Sequence, residues 1–290
     1  MNGRRCYDLR IADISIRMET DAPMKVEDAF VPFLIREDKP QVTAVFCHVG
    51  ALPPIPAQVL YEDVCYRVHP DGAGGYLRSF FDAPRDRDPY GVGIYDYPNG
   101  KIRVEYLDKG ARCVSGMVTG VFHLGIEEIM LTHGRMFLHA ACVQTHLGGI
   151  LFSGPSGIGK STQAGLWCAH RDGRLINGDR TILSREGETY RAWGSPYAGS
   201  SRCHVNDSAP VRAIVMLRQA AECSLRRLEP GEAFRNLYAG AAVSRWDRTS
   251  VLRSCDFLGE LARQVPVVEF SCTPDAHAVD FLENALQGVI

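Results

Sequence analysis

The chain has 290 residues, of which 46% are apolar and 23% are charged, and its formal net charge is −2. This near balance argues against a nucleic-acid partner, because binding to a phosphate backbone needs a surplus of lysine and arginine. The length is sufficient for two domains or one large domain with an adequate apolar core.

The first 115 residues are predicted to form mainly short strands. Apolar and polar residues alternate over Tyr7–Arg17, which predicts one strand, and Val42–Val49 is a compact apolar run. Further strands are predicted at Tyr61–Val68, Gly91–Tyr97 and Lys101–Leu107, with a hairpin turn at Pro98-Asn99-Gly100. The sequence therefore predicts a smaller β-rich domain over residues 1–115, to which we assign no chemistry.

The pattern changes near residue 115, where apolar residues begin to recur at helical spacing. A helix is predicted over Gly120–Gly134, and a strand at Met136–Thr145 precedes a turn and a second strand at Ile150–Ser153. The later strands are predicted at Leu175–Asn177, Thr181–Ser184, Thr189–Trp193, Val211–Leu217 and Val265–Phe270. The helices are predicted at 160–170, 230–240, 250–264 and 275–287. Residues 116–290 are thus predicted to form a mixed α/β domain.

The ten cysteines are scattered through apolar runs and form no C-x-x-C pair. This spacing gives no support to a zinc or dithiol redox motif. The N-terminus lacks an apolar stretch long enough for a signal peptide, and no run approaches about eighteen consecutive apolar residues. We therefore expect a cytoplasmic protein with reduced thiols and no membrane partner.

One segment matches the phosphate-binding pattern G-x-x-x-x-G-K-[ST], and it lies between a predicted apolar strand and a predicted amphipathic helix. Glycines in such a loop allow backbone N–H groups to line a nest for phosphate oxygens, and the following helix adds its positive dipole. The pattern assigns Lys160 to the β- and γ-phosphates and the Ser161 hydroxyl to Mg²⁺. The predicted nucleotide-binding residues are Gly154, Pro155, Ser156, Gly157, Ile158, Gly159, Lys160, Ser161 and Thr162.

The next acidic residue of interest is Asp179, which ends a short predicted strand nineteen positions after Lys160 (179 − 160). A motor ATPase would carry a longer apolar run ending in Asp-Glu, and a GTPase would carry N-K-x-D; neither pattern is present. Asp179 is predicted to be a metal-linked carboxylate or the general base that deprotonates a phosphate acceptor. The alternative is a turn residue that caps a Gly-Asp bend.

Three stretches in this order resemble the catalytic domain of HPr kinase/phosphorylase: Leu138-His-Ala-Ala-Cys-Val143, Gly149-Ile-Leu-Phe-Ser-Gly-Pro-Ser-Gly-Ile-Gly-Lys-Ser161 and Leu175-Ile-Asn-Gly-Asp179. More broadly, they are similar to HPr-kinase-like kinases that share a phosphoenolpyruvate-carboxykinase-type nucleotide fold. The resemblance covers about residues 120–240. It implies a mixed-sheet P-loop kinase domain, ATP and Mg²⁺ as cofactors, and His139 beside the catalytic carboxylate. The alternative for His139 is a hydrogen-bonded core histidine.

Two features depart from that family. Its members carry two consecutive acids after the P-loop helix, whereas this chain has Asp179-Arg180. The segment linked to phosphorylase activity has no close match, so we do not expect bifunctional behaviour. Residues 1–115 do not resemble the family's N-terminal domain either.

A loop rich in glycine, serine and proline separates two predicted strands at 193–204. It either borders the active site, with Arg202 or His204 contacting phosphate or substrate, or it is a plain surface loop.

The favoured hypothesis is an ATP- and Mg²⁺-dependent kinase that transfers the γ-phosphate to a Ser or Thr hydroxyl of a peptide or protein. Asp179, His139 and Lys160 are the predicted catalytic residues, and Ser161 and Asp179 are the predicted metal ligands. The alternatives are a small-molecule kinase of the serine type, a nucleotide-dependent switch or ATPase without an acceptor, and a carboxykinase-type enzyme. A homo-oligomer is compatible with the sequence, which does not identify the acceptor.

Overall fold

A computed structural model describes residues 4–83 and 86–288 and shows an α/β protein with mixed sheets. The chain divides into two compact units, Met1–Thr132 and His133–Ile290. This division lies 17 residues beyond the predicted boundary at 115 (132 − 115). Two short helices that follow residue 115 belong to the first unit, and they account for the difference.

Among its described residues, the first unit has one nine-stranded sheet and two α-helices, with short 3-10 helices at Asp28–Phe33, Tyr97–Asn99 and Asp108–Val114. Its elements are β1 (Arg5–Ile11), β2 (Ile14–Thr20), β3 (Leu34–Ile35), β4 (Val42–His48), β5 (Tyr61–Glu62), β6 (Tyr66–Pro70), β7 (Tyr76–Phe80), β8 (Gly91–Asp96), β9 (Lys101–Tyr106), α1 (Met117–Leu124) and α2 (Ile126–Thr132). The strand order is β3-β1-β2-β4-β9-β8-β7-β6-β5. Strand β4 is parallel to both of its neighbours, and all other neighbours are antiparallel.

The prediction of one strand over Tyr7–Arg17 is wrong, because β1 and β2 form a hairpin. The chain turns at Ala12 and Asp13, whose φ angles are 48° and 63°. Two consecutive residues with positive φ are typical of the two-residue type I′ turn, whose twist matches that of the flanking strands. The spacing of three between Ile11 and Ile14, which pair across the turn, was the sequence signal of this reversal.

The prediction of one helix over Gly120–Gly134 is also wrong. Gly125 adopts a left-handed conformation with φ of 65°, so α1 ends before it and α2 begins after it. Glycine is common at this position because a helix often closes with one left-handed residue. A Cβ atom at position 125 would lie 2.3 Å from the Tyr97 hydroxyl oxygen, so packing also requires glycine there.

The second unit, as far as residue 288, has an eight-stranded mixed sheet and four α-helices, with a short 3-10 helix at Gly199–Ser201. Its elements are β10 (Arg135–Thr145), β11 (Gly148–Ser153), α3 (Lys160–Arg171), β12 (Arg174–Asn177), β13 (Arg180–Glu186), β14 (Thr189–Trp193), β15 (Ser208–Gln219), β16 (Ser224–Arg227), α4 (Pro230–Gly240), α5 (Arg248–Gln264), β17 (Val267–Cys272) and α6 (Ala276–Gly288). The strands follow the order β11-β10-β13-β14-β15-β17-β16, and β12 pairs with β10. Strand β15 runs parallel to both β11 and β17. Each strand predicted in this unit is present within three residues of its predicted bounds, and β16 was not predicted.

Helices cover both faces of this second sheet. Trp167 of α3 and Leu282 of α6 join Val143 of β10 in one buried core. Leu138 of β10 instead pairs with Ala241, at the end of α4. The Leu138 side chain lies next to Gly240 of α4, where a Cβ atom would come within 3.4 Å of Leu138 Cδ1.

The helices within residues 4–83 and 86–288 include none that is both long and apolar enough to cross a membrane. All ten cysteines lie in these described ranges, and all are free thiols.

Candidate active site

The loop that joins β11 to α3 follows an unusual backbone path. Gly154, Gly157 and Gly159 have φ angles of 142°, 78° and 109°, values at which any other residue is strained. A Cβ atom at position 157 or 159 would meet no atom within 4 Å. The backbone conformation, rather than crowding, thus requires these two glycines, and open space lies beside the loop.

Lys160 is the first residue of α3, and it is only 7% exposed. Its Nζ donates hydrogen bonds to the carbonyl oxygens of Gly154 and Pro155, at 3.1 and 3.0 Å. Burial lowers the pKa of Lys160, and the negative charge of Asp179 opposes this effect. Both hydrogen-bond acceptors are neutral, so a buried ammonium group in this position is stabilised by an anion bound next to it.

The start of α3 adds a second attraction for anions. The first backbone N–H groups of a helix have no acceptor within the helix, and the helix dipole is positive at this end. Here these groups belong to Lys160, Ser161 and Thr162, beside the open face of the loop. The arrangement matches the way in which helix N-termini hold phosphate groups.

Asp179 and His139 form a pair, although they are 40 residues apart in sequence. The His139 Nδ1 lies 3.0 Å from Asp179 Oδ1 and 3.2 Å from the Asp179 carbonyl oxygen. Both oxygens accept hydrogen bonds, so Nδ1 carries a proton. The side chains are 38% and 33% exposed, so solvent reaches both.

A bulge in the sheet lies beside this histidine. Arg180 of β13 is opposite both His139 and Ala140 of β10, and the register shifts between these two residues. Bulges redirect side chains and are common next to active sites. This bulge lies where the His139 side chain faces the two cavities described below.

Two buried residues that the sequence analysis did not select position Asp179. The Asn177 side-chain oxygen accepts from the Asp179 backbone N–H at 2.8 Å, and its amide nitrogen donates to Ser195 Oγ at 3.1 Å. The Ser195 hydroxyl in turn donates to the Arg180 carbonyl at 2.6 Å. An asparagine that accepts from the N–H two residues later is typical of Asx turns, so Asn177-Gly-Asp carried a usable signal.

One cavity of about 260 Å³ brings most of the predicted site together. Its lining residues are His139, Ser156, Gly157, Gly159, Lys160, Ser161, Thr162, Gly178, Asp179 and Ser200. Gly154 and Pro155 line a neighbouring cavity instead. The Ile158 side chain packs against the core, and Pro155 has no N–H, so neither side chain serves a phosphate group directly.

The predicted metal ligands lie on the same cavity wall. The Ser161 hydroxyl donates to the Gly178 carbonyl at 3.3 Å, which places it beside the segment that carries Asp179. Within residues 4–83 and 86–288 no group of three or more His, Cys, Asp or Glu side chains forms a metal site. Mg²⁺ is usually held by one or two protein groups together with the phosphates of the substrate. One hydroxyl group and one carboxylate therefore fit this ion.

The loop after β14 packs against the site through small residues. A Cβ atom at Gly178 would lie 2.1 Å from Ser201 Oγ, and one at Gly199 would lie 2.8 Å from the Asp179 Cβ. Ser200 of this loop lines the cavity, whereas Arg202 and His204 line neither cavity. The loop thus borders the cavity, but through Ser200 rather than through Arg202 or His204.

Comparison with known proteins gives distant structural likenesses to this chain. No protein-family model matches the chain, and no curated protein matches it. A solved structure of the HPr(Ser) kinase/phosphatase from Coxiella burnetii is similar, with 13% identity and a TM-score of 0.33. The match covers 52% of this chain and 95% of that chain.

Proposed function

We propose that this protein is a phosphotransferase that binds Mg·ATP at residues 154–162 and transfers the γ-phosphate to a Ser or Thr hydroxyl of a peptide or protein. The observation that carries the proposal is the single cavity that Lys160, Ser161 and the Asp179–His139 pair all face. A cation, a metal ligand and a base are the groups that phosphoryl transfer requires.

The residues of the loop serve binding. The N–H groups at the start of α3 and the Lys160 ammonium group hold phosphate oxygens and neutralise their charge. When bound, ATP would supply the phosphoryl group and Mg²⁺ further positive charge. Ser161 would be the protein's metal ligand, and of the two roles predicted for Asp179 we assign it that of the base. In this class of reaction, catalysis is mainly positioning and charge neutralisation.

Asp179 and His139 act on the acceptor. A hydroxyl group is a poor nucleophile at neutral pH, and a base that takes its proton accelerates transfer by roughly 10²–10⁴. His139 Nδ1 donates to Asp179 Oδ1, which fixes the carboxylate and leaves Oδ2 for the hydroxyl proton. Asn177 holds the backbone of Asp179 in place.

The first test is the binding of the nucleotide. Wild-type protein should gain thermal stability with millimolar Mg·ATP, because a ligand that binds only the folded state stabilises it. Lys160→Ala should lose most of this gain, since it removes the buried ammonium group. Exposed Lys39 offers a matched control, and Lys39→Ala should keep the wild-type response. An unchanged melting curve of the wild type with Mg·ATP would contradict the proposal.

A second candidate function is triphosphate hydrolysis without an acceptor, as in a nucleotide-dependent switch. It is favoured by the exposure of Asp179 and His139, because a water molecule that reaches the base can lose its proton and attack the γ-phosphate in place of a hydroxyl group. Incubation with γ-labelled ATP, peptides and free serine separates the candidates. Label in peptide supports the kinase, label in free serine supports a small-molecule kinase, and label only in inorganic phosphate supports the switch.

A further inference from the structure

A second cavity of about 310 Å³ adjoins the loop, and the mechanism above does not use it. It is formed by the end of β15, with Met216, Leu217 and Arg218, and by α4, with Asn236, Ala239 and Gly240. His139, Gly154 and Pro155 also line it. His139 therefore lines both cavities and connects the two.

The position of this cavity relative to Lys160 indicates which end of the nucleotide it serves. In a phosphate-binding loop the lysine reaches the β- and γ-phosphates. Lys160 Nζ donates to the carbonyl oxygens of Gly154 and Pro155, which are the two loop residues that line the second cavity. The cavity thus lies at the γ-phosphate end of the site, where an acceptor must enter.

The lining offers little for a charged ligand. Met216 is a buried hydrophobic residue, Ala239 and Gly240 present no polar side chain, and Ser153 and Asn236 are polar but uncharged. Arg218 is paired with Glu269 at 3.1 Å. Apart from His139, it is the one ionisable residue in the described lining. A free amino acid would need separate partners for its carboxylate and ammonium groups, and this wall does not supply them.

We propose that this cavity binds an apolar side chain adjacent to the acceptor Ser or Thr in a peptide or protein substrate. This inference rests on the proposed function. A volume of about 310 Å³ lies at the small end of ligand pockets, which suits one side chain and its flanking backbone better than a large molecule. With the apolar side chain held there, the neighbouring hydroxyl group lies beside His139 and Asp179.

The transfer step needs no reactant beyond Mg·ATP and the acceptor. The acceptor oxygen forms a bond to the γ-phosphorus while the bond from that phosphorus to the bridging oxygen breaks, and ADP keeps the bridging oxygen. The hydroxyl proton passes to the Asp179 carboxylate and then to solvent.

The test uses peptides with one serine in a neutral sequence, in which an adjacent residue is Leu, Asp or Lys. The Leu peptide should have a KM about tenfold lower than that of either charged peptide, and its Kd without nucleotide, from fluorescence anisotropy, should show the same order. Ala239→Leu narrows the cavity from an exposed helical position and should raise both constants for the Leu peptide about tenfold. Thermal stabilisation by Mg·ATP should be unchanged in this variant.

Ala169→Leu is the matched control, because Ala169 is an exposed residue of α3 that lines neither cavity. Gly240→Ala is a second narrowing variant, since its Cβ would make ordinary contacts of 3.4 and 3.5 Å with Leu138 and Ser153. Equal constants for the three peptides, or narrowing variants with wild-type KM and Kd, would overturn the inference and leave the kinase proposal standing. Label in free serine or in no peptide, with Mg·ATP still bound, would also overturn it. A wild type that does not bind Mg·ATP would overturn the proposed function itself.

Discussion

The two units of this protein use the same ionisable residue types in opposite ways. In the first unit, His123 is buried, its Nδ1 donates to the Thr119 carbonyl, and its Nε2 accepts from the Tyr90 hydroxyl at 2.7 Å. In the second unit, the His139 ring contacts Asp179 through Nδ1 and faces a cavity. A histidine with both nitrogens occupied serves packing, whereas one with a free side in a cavity is available for chemistry.

The charged pairs differ in the same way. Arg78 and Glu128 of the first unit are both buried and in contact at 2.5 Å, and the Arg78 guanidinium lies 5.2 Å from the ring centres of Tyr66 and Tyr95. Lys160 of the second unit is also buried, but it lies beside open space and binds only neutral carbonyl groups. Burial alone therefore does not distinguish a charged residue with a functional role from one with a structural role. In this protein the distinguishing feature is the cavity next to Lys160.

The largest expected effect is on catalysis at Asp179. Asp179→Asn should keep most of the Mg·ATP affinity while transfer falls by roughly two to four orders of magnitude, because the amide cannot take the hydroxyl proton. Single-turnover transfer of labelled phosphate measures this. Asp256→Asn, at an exposed site on α5, is the matched control and should behave as the wild type. If Asp179→Asn retains full turnover, the base lies elsewhere.

The next effect is on stability in the first unit. Glu128→Gln should destabilise the fold by about 3–5 kcal/mol, because it leaves the buried Arg78 charge without its carboxylate. Glu62→Gln removes an exposed pair with Arg67 and should cost less than about 1 kcal/mol. Urea unfolding compares the two. Equal losses of unfolding free energy in the two variants would show that burial does not determine how much these ion pairs contribute to stability.

The pH dependence of stability tests the buried histidine. Burial lowers the pKa of His123 from 6.5 to about 4. Between these values the unfolded chain binds more protons than the folded one, so the free energy of unfolding rises with pH. About 3 kcal/mol should be present above pH 6.5 and lost as the pH falls to 4. Unfolding at several pH values should show this loss in the wild type and in exposed His170→Gln, but not in His123→Gln.

The smallest effect concerns His139, which we assign a supporting role. His139→Gln should reduce transfer by about tenfold, less than Asp179→Asn does, because the carboxylate remains while its orientation loosens. Stability should change by less than about 0.5 kcal/mol, since the side chain is half-exposed. Transfer rates and urea unfolding together check this. A stability loss as large as that of Glu128→Gln would place His139 with the packing residues.

The most accurate predictions of secondary structure came from local sequence patterns. Strands and helices of the second unit were predicted within a few residues, because their apolar periodicity and end signals lie within each segment. Errors were more frequent in the first unit, where the predicted strand Tyr61–Val68 is two strands and β7 was not predicted. At Gly125 and at Ala12-Asp13 the backbone adopts left-handed conformations, and an apolar pattern taken over a longer window conceals such local breaks.

The sequence by itself determined the loop at 154–162, its lysine and the helix that follows, because that motif is contiguous and each residue has a local role. Only the tertiary structure decided which distant groups meet it. His139 contacts Asp179 because β10 pairs with β13 in one register with a bulge, and Asn177 is held by Ser195 from another strand end. The second cavity needs β15 and α4 side by side. Such contacts follow from strand register and helix packing, which depend on the whole core rather than on neighbouring residues.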